Sequence, residues 1–116
     1  ERLFTEVADG EPKFASFRAK WDDNYRKKWG IRTDFAKLDA NTETDIAETC
    51  KKIYRILGLR GYGRIDLRIR PNGEIVCLEA NPNPSIEKES DFALSAVKSG
   101  MTYDELIQKI ISLASP

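Results

Sequence analysis

The chain has 116 residues, enough for one modest domain or one piece of a larger one. Its 19 basic and 19 acidic residues balance with no histidine, so nothing in the charge suggests a nucleic-acid or membrane surface. No apolar run reaches the length of a membrane span and no signal-peptide pattern is present, which leads to the expectation of a cytoplasmic protein.

The opening "ERLFTEVADG" has no initiator Met, and the expectation is a piece of something longer. Residues 1–20 read as two short strands, Arg2–Val7 and Lys13–Lys20, around the turn signal "ADGEP". From Trp21 to Leu38 periodicity fades and charge rises, which predicts a long surface loop of the kind that often carries function. In "NTETDIAETCKKIYRILGL" the apolar residues Ile46, Cys50, Ile53 and Leu57 fall on one helical face. Asn41 or Thr42 can cap its start, and Gly58 can end it in the left-handed conformation. Cys50 in this helix and Cys77 further on lack metal-site spacing and are expected to be buried thiols in a reducing compartment.

Two strand-like runs follow in "GRIDLRIRPNGEIVCLEANPNPS", joined by a Pro-Asn-Gly turn. Side chains alternate along a strand, so Ile65, Leu67 and Ile69 share one face, and Arg64, Asp66 and Arg68 share the other. A two-residue Asn72-Gly73 loop would align Val76, Leu78 and Ala80 with the isoleucine face, set Asp66 opposite Glu79 and set Arg64 opposite Asn81. A three-residue loop would place Glu79 among the isoleucines. It is rejected because register follows the face that can be buried. A four-residue loop would keep the faces and make the two acids diagonal. Beyond the hairpin, "SDFALSAVKSG" predicts a short helix with Ser90 as cap and Gly100 as stop. The last helix carries a Thr102/Glu105 capping box and an expected buried stripe of Leu106, Ile107, Ile110, Ile111 and Ala114. Strands and helices mix without regular alternation, which predicts an α+β fold: an antiparallel sheet with helices packed on one face.

Opposed carboxylates destabilise a sheet unless a cation offsets them. Two arginines on the same face could do so, giving an ordinary charged surface. The sharper reading is a divalent ion. Two carboxylates and the amide oxygen of Asn81 form an all-oxygen set, which suits Mg²⁺ completed by phosphate oxygens rather than zinc. Arg64 would then face a transferring phosphoryl group.

At this point the motif resembles a known family. "GRIDLRI…NGEIVCLEANPNPS" is similar to the metal-binding hairpin of the ATP-grasp superfamily, in the branch around D-alanine–D-alanine ligase, whose pattern is R-x-D, a strand, a Gly-containing turn, then E-x-N-x-x-P. "SGMTYDELIQKIISLA" resembles that branch's closing helix, and "FRAKW" resembles the A-K-[YW] that heads the mobile loop over ATP. The resemblance covers about residues 14–116. It implies the C-terminal half of an ATP-grasp fold, belonging to an ATP-dependent carboxylate–amine ligase that works through an acyl phosphate. It also implies ATP and two Mg²⁺ ions, with Mn²⁺ as an alternative, and small amino-acid-like or carboxylate substrates.

Residue by residue, the resemblance implies that Asp66 holds one Mg²⁺, Glu79 bridges two and Asn81 completes the second. It implies Arg64 beside the transferred phosphoryl group and Lys20 on the ATP phosphates when the loop closes. Leu78 would pack under the adenine, against the alternative of a plain core leucine. Ser90 would contact the second substrate's carboxylate, against the alternative of a helix cap, and the two roles can coexist. The family pattern has a glycine soon after Asn-x-x-Pro where this chain has Ser85, so the resemblance extends to the branch and not to its amino-acid specificity. The Gly-rich phosphate loop, adenine hinge and substrate domain precede the matched stretch in that family, so the chain would supply half of a cleft and be inactive alone. A non-catalytic module with an acidic hairpin patch is the rival from another class. A two-metal phosphatase or nuclease is a weaker rival, because such sites draw on more carboxylates or histidines.

Overall fold

In a computed structural model the described residues are 2–7, 13 and 16–114. The chain divides into two units, Glu1–Asp39 and Ala40–Pro116. The turn signal "ADGEP" lies outside the described residues.

The first unit contains β1 (Arg2–Phe4), α1 (Phe17–Trp21), α2 (Asp23–Lys28) and β2 (Ile31–Thr33). It overturns two expectations. The stretch expected to be a strand at Lys13–Lys20 instead enters a helix, with Ser16 accepting from the Ala19 amide as its N-cap at 3.2 Å. The expected loop from Trp21 to Leu38 holds a second helix and a strand, and β2 pairs antiparallel with β1 through Phe4 opposite Ile31. Asp22 explains both helices. Its backbone ends α1 while its carboxylate accepts from the Tyr25 amide at 2.9 Å to start α2. That bond holds the Asp22 carboxyl below the usual aspartate range. Ala19 and Ile31 are the buried apolar residues among those described in this unit.

The second unit contains α3 (Ala40–Ile56), β3 (Arg64–Ile69), β4 (Ile75–Asn81), α4 (Asp91–Lys98) and α5 (Tyr103–Ala114). This is the expected α+β combination, a small antiparallel sheet accompanied by helices. Helix α3 opens at Ala40, so Asn41 and Thr42 fall inside its first turn rather than before it. It ends at Gly58, with φ +62°, where the Leu59 amide donates back to the Tyr54 carbonyl at 3.0 Å. Ile46, Cys50 and Ile53 are half-buried on the expected face, but Leu57 lies beyond the helix and is 55% exposed. Cys50 and Cys77 are both free; Cys50 is half-buried and Cys77 exposed, which corrects the expectation of two buried thiols. Burial raises the Cys50 thiol pKa, and the Cys77 thiol adds to the effect.

Helix α4 starts at Ser90, whose hydroxyl accepts from the Ala93 amide at 3.2 Å, and stops at Gly100, with φ +99°. Helix α5 starts with the expected reciprocal box: the Thr102 amide donates to Glu105 at 2.7 Å and the Glu105 amide donates to Thr102 at 3.2 Å. Its buried stripe is narrower than expected. Leu106 is buried and Ile107 and Ile110 are half-buried, but Ile111 is 62% exposed and Ala114 is exposed. Ala93 of α4 and Leu106 of α5 are buried, and the two helices are in contact.

Candidate functional site

The hairpin tip is a three-residue loop, contrary to the two-residue expectation. Ile69 pairs with Ile75, the Arg70 amide donates to Glu74 at 2.9 Å, and Pro71, Asn72 and Gly73 make the turn. The Gly73 amide donates back to Arg70 at 2.9 Å and its φ is +84°, a type I turn followed by a left-handed glycine. Continued regularly, this register would set Ile65 against Glu79. It does not continue. Leu67 pairs with Cys77 while Asp66 pairs with Glu79, so Leu78 is a surplus residue, a β-bulge. Beyond the bulge Ile65 pairs with Ala80 and Arg64 with Asn81.

The two offsets produce the expected opposition of acids by an unexpected route. Near the tip, Leu67, Ile69, Ile75 and Cys77 share a face, while Val76 moves to the side of Arg68. Beyond the bulge, Arg64, Asp66, Glu79 and Asn81 share the other face. Cys77 falls on the same side as its partner Leu67. Leu78 is 62% exposed.

The electrostatics centre on Arg64. Its Nε donates to Asp66 Oδ1 at 2.7 Å and its Nη2 to Asp66 Oδ2 at 3.1 Å, a bidentate pair along one strand. That pairing raises the Arg64 pKa above an already high value, and Glu79 and Asp91 add to the effect. The guanidinium is a permanent cation paired with Asp66, with Glu79 and Asp91 acting on it through space. The expected offset of the opposed acids by an arginine is present, and it uses two of the five donors of the fork.

Asn81 ends β4. Its Oδ1 accepts from the Asn83 amide at 2.9 Å, which turns the chain sharply at Pro82. Since a backbone N–H can only donate, this bond identifies the accepting atom as oxygen. A carbonyl oxygen has a second lone pair, so the bond does not exclude a cation. Asp66, Glu79 and Asn81 thus offer an oxygen-only donor set from facing positions on two strands, part-exposed, and this fits Mg²⁺ in its usual protein environment of one or two carboxylates. Among the described residues no three Asp, Glu, Cys or His side chains converge as a self-sufficient metal cage. No helix among them is long and apolar enough to cross a membrane.

The remaining expected residues lie in different places. Ser90 caps α4, so one of its two suggested roles is directly visible. The Lys20 backbone lies in α1, in the first unit, and its side chain lies outside the described residues. Sequence reasoning missed Asp91, the first residue of α4, which is one of the anions that act on Arg64. An acid directly after a cap serine, just beyond "NPNPS", was the available signal.

The chain is similar in sequence to known proteins. The family model for the D-ala D-ala ligase C-terminus matches residues 4–112. The vancomycin/teicoplanin A-type resistance protein of Enterococcus faecium is 39% identical over 79 residues, 68% of this chain and 23% of that protein. The vancomycin B-type resistance protein of Enterococcus faecalis is 37% identical over the same span and shares. The D-alanine–D-alanine ligase of Lactobacillus acidophilus is 28% identical over 106 residues, 91% of this chain and 29% of the ligase. The chain therefore spans about a quarter of the length of the curated relatives it matches. With the family model covering nearly the whole sequence, the chain belongs to the D-Ala–D-Ala ligase C-terminus family and carries part of an ATP-grasp-like fold.

Proposed function

We propose that residues 1–116 are the C-terminal, magnesium-binding subdomain of an ATP-dependent carboxylate–amine ligase. The observation that carries this reading is the placement of Asp66 directly opposite Glu79, with Asn81 two residues along the same strand. Past the β-bulge the two acids stand opposed, a like-charge pairing that costs stability in a sheet and is offset here by Arg64. Large apolar side chains left in solvent, Ile56 at 81% and Leu78 at 62% exposure, suit one wall of a cleft whose other wall lies elsewhere in a longer protein.

In the proposed reaction a substrate carboxylate oxygen attacks the γ-phosphorus of ATP, the bond to the β-phosphate oxygen breaks, and ADP and an acyl phosphate result. An amine then attacks the acyl carbon, phosphate leaves, and the amine loses a proton. Asp66, Glu79 and Asn81 would hold Mg²⁺, which when bound supplies charge neutralisation on the phosphoryl oxygens. Arg64 keeps its charge at every working pH and presents N–H donors not used by Asp66 to anionic oxygen. Lys20 would meet the ATP phosphates, Leu78 the adenine, and Ser90 a substrate carboxylate. Residues 1–116 alone are expected to show no turnover and only weak Mg²⁺ binding.

Asp66→Asn and Glu79→Gln in the full-length protein test the assignment. Both are expected to abolish ATP-dependent amide formation with circular dichroism unchanged. Ligation that survives both changes would refute it. A second reading has one observation in its favour: Arg64 already satisfies Asp66, as it would on a non-catalytic acidic surface. Under that reading neither substitution alters any nucleotide-dependent reaction.

A further inference from the structure

The second Asn-Pro of "NPNPS" has no part in the chemistry above, yet its asparagine is tied into the fold by two hydrogen bonds. The Tyr62 hydroxyl donates to Asn83 Oδ1 at 2.9 Å across 21 residues of chain. The amide of that same Asn83 donates to Asn81 Oδ1 at 2.9 Å. Asn83 therefore stands between a phenol and the amide oxygen offered to the metal, its side chain held by one and its backbone holding the other. Both asparagines precede prolines, Pro82 and Pro84, which restricts each to extended backbone and leaves the turn few ways to rearrange.

Two further contacts fix Tyr62 itself. Its ring lies 5.5 Å from that of Phe92, tilted by 51°, and Phe92 is the second residue of α4. Next to it, Gly63 lets the turn approach β3: a methyl group there would stand 3.3 Å from the Asn81 carbonyl oxygen. Tyr62 thus joins three elements at one point: the chain entering β3 two residues before Arg64, the Asn-Pro-Asn-Pro turn, and the start of the helix capped by Ser90.

We infer that Tyr62 and Asn83 are positioning residues that orient the Asn81 amide oxygen toward the metal, with Tyr62 also setting the start of α4 relative to it. The inference rests on the proposed function. Tyr62→Phe is the separating change, because it keeps the ring against Phe92 and removes only the hydroxyl. Mn²⁺ is titrated into the full-length protein with a non-hydrolysable ATP analogue present, because phosphate oxygens complete the site, and free ion is followed by its paramagnetic resonance signal. Partners behind a metal ligand typically contribute about 10–100-fold in affinity, so Tyr62→Phe and Asn83→Ala are each expected to weaken Mn²⁺ binding by about tenfold. The two together should weaken it little more than either alone, because they break one chain of bonds. Activity of Tyr62→Phe should recover at high Mg²⁺, whereas that of Asn81→Ala should not. Tyr62→Leu, which also loses the ring contact, should in addition raise KM for the carboxylate substrate. Mn²⁺ affinity within twofold of the unaltered protein in both Tyr62→Phe and Asn83→Ala, alongside loss of binding in Asn81→Ala, would overturn the inference and leave the metal assignment standing. Unchanged affinity in Asn81→Ala, Asp66→Asn and Glu79→Gln would overturn both.

Discussion

Ser90 offers the sharpest separation of structure from chemistry, because its hydroxyl is a helix cap by geometry and a substrate contact only by proposal. Its oxygen accepts the Ala93 amide at 3.2 Å from an extended backbone, with φ −71° and ψ 150°. Removing such a cap as Ser90→Ala costs about 1 kcal/mol, which should speed local opening of α4 by about fivefold. Aspartate caps as well as serine and adds a favourable charge at the helix start, so Ser90→Asp should leave that opening within about twofold. For an incoming carboxylate the outcome is opposite. A new anion at contact distance repels it by on the order of 1–4 kcal/mol between bulk-water and near-surface dielectric values, enough to raise KM about fivefold or more. Hydrogen exchange over residues 91–98 reads the cap, and steady-state kinetics of the full-length protein read the substrate. Fast exchange with Ala, and normal exchange with a raised KM for Asp, are expected. An unchanged KM in Ser90→Asp would show that Ser90 caps a helix and does nothing more.

The capping box of α5 gives a pH prediction. The Thr102 amide and hydroxyl hold the Glu105 carboxyl below its ordinary value of 4.5, so its contribution is complete above that pH and fades as the pH falls through the lowered value. Glutamine fills the same box without titrating, so Glu105→Gln should flatten the acid limb of α5 stability measured by hydrogen exchange. Two glycines should respond differently to alanine. Gly58 has φ +62° and open space around a new methyl, so Gly58→Ala should lose about 1 kcal/mol in urea unfolding with the Mg²⁺ requirement unchanged. Gly63→Ala, whose methyl would press on the Asn81 carbonyl at 3.3 Å, should shift the Mg²⁺ activation curve instead.

What could be read from sequence follows a physical line. Ser90, Gly100, Thr102 with Glu105, and Gly58 were legible because caps are local: each signal lies within a few residues of the bond it makes. The helices at Phe17–Trp21 and Asp23–Lys28 were not. Five and six residues are shorter than any window in which helical periodicity shows, and one aspartate between them does the work of two caps. The β1–β2 pairing joins Arg2 to Thr33, and no local feature announces a partner that distant. In the hairpin, burial logic correctly placed Asp66 opposite Glu79 and wrongly chose the turn, since nothing in Cys77-Leu78-Glu79 marks a bulge. Asp91 adds to the field on Arg64 from the start of α4, where its neighbour Phe92 meets Tyr62, a proximity the linear order hides.

That unpaired leucine has a further implication. Every other position from Ile75 to Asn81 has a partner across the ribbon, so altering it disturbs a neighbour; Leu78 answers to none. Removing it would let Cys77 and Glu79 sit against Leu67 and Asp66 in unbroken succession, which means the acids do not need it for their alignment. Under the proposed function, the one place on β4 that meets the base of the nucleotide is thereby mechanically uncoupled from the groups that handle its phosphates. Preference among nucleotides could drift by exchanging that single side chain while the chemistry beside it stayed fixed.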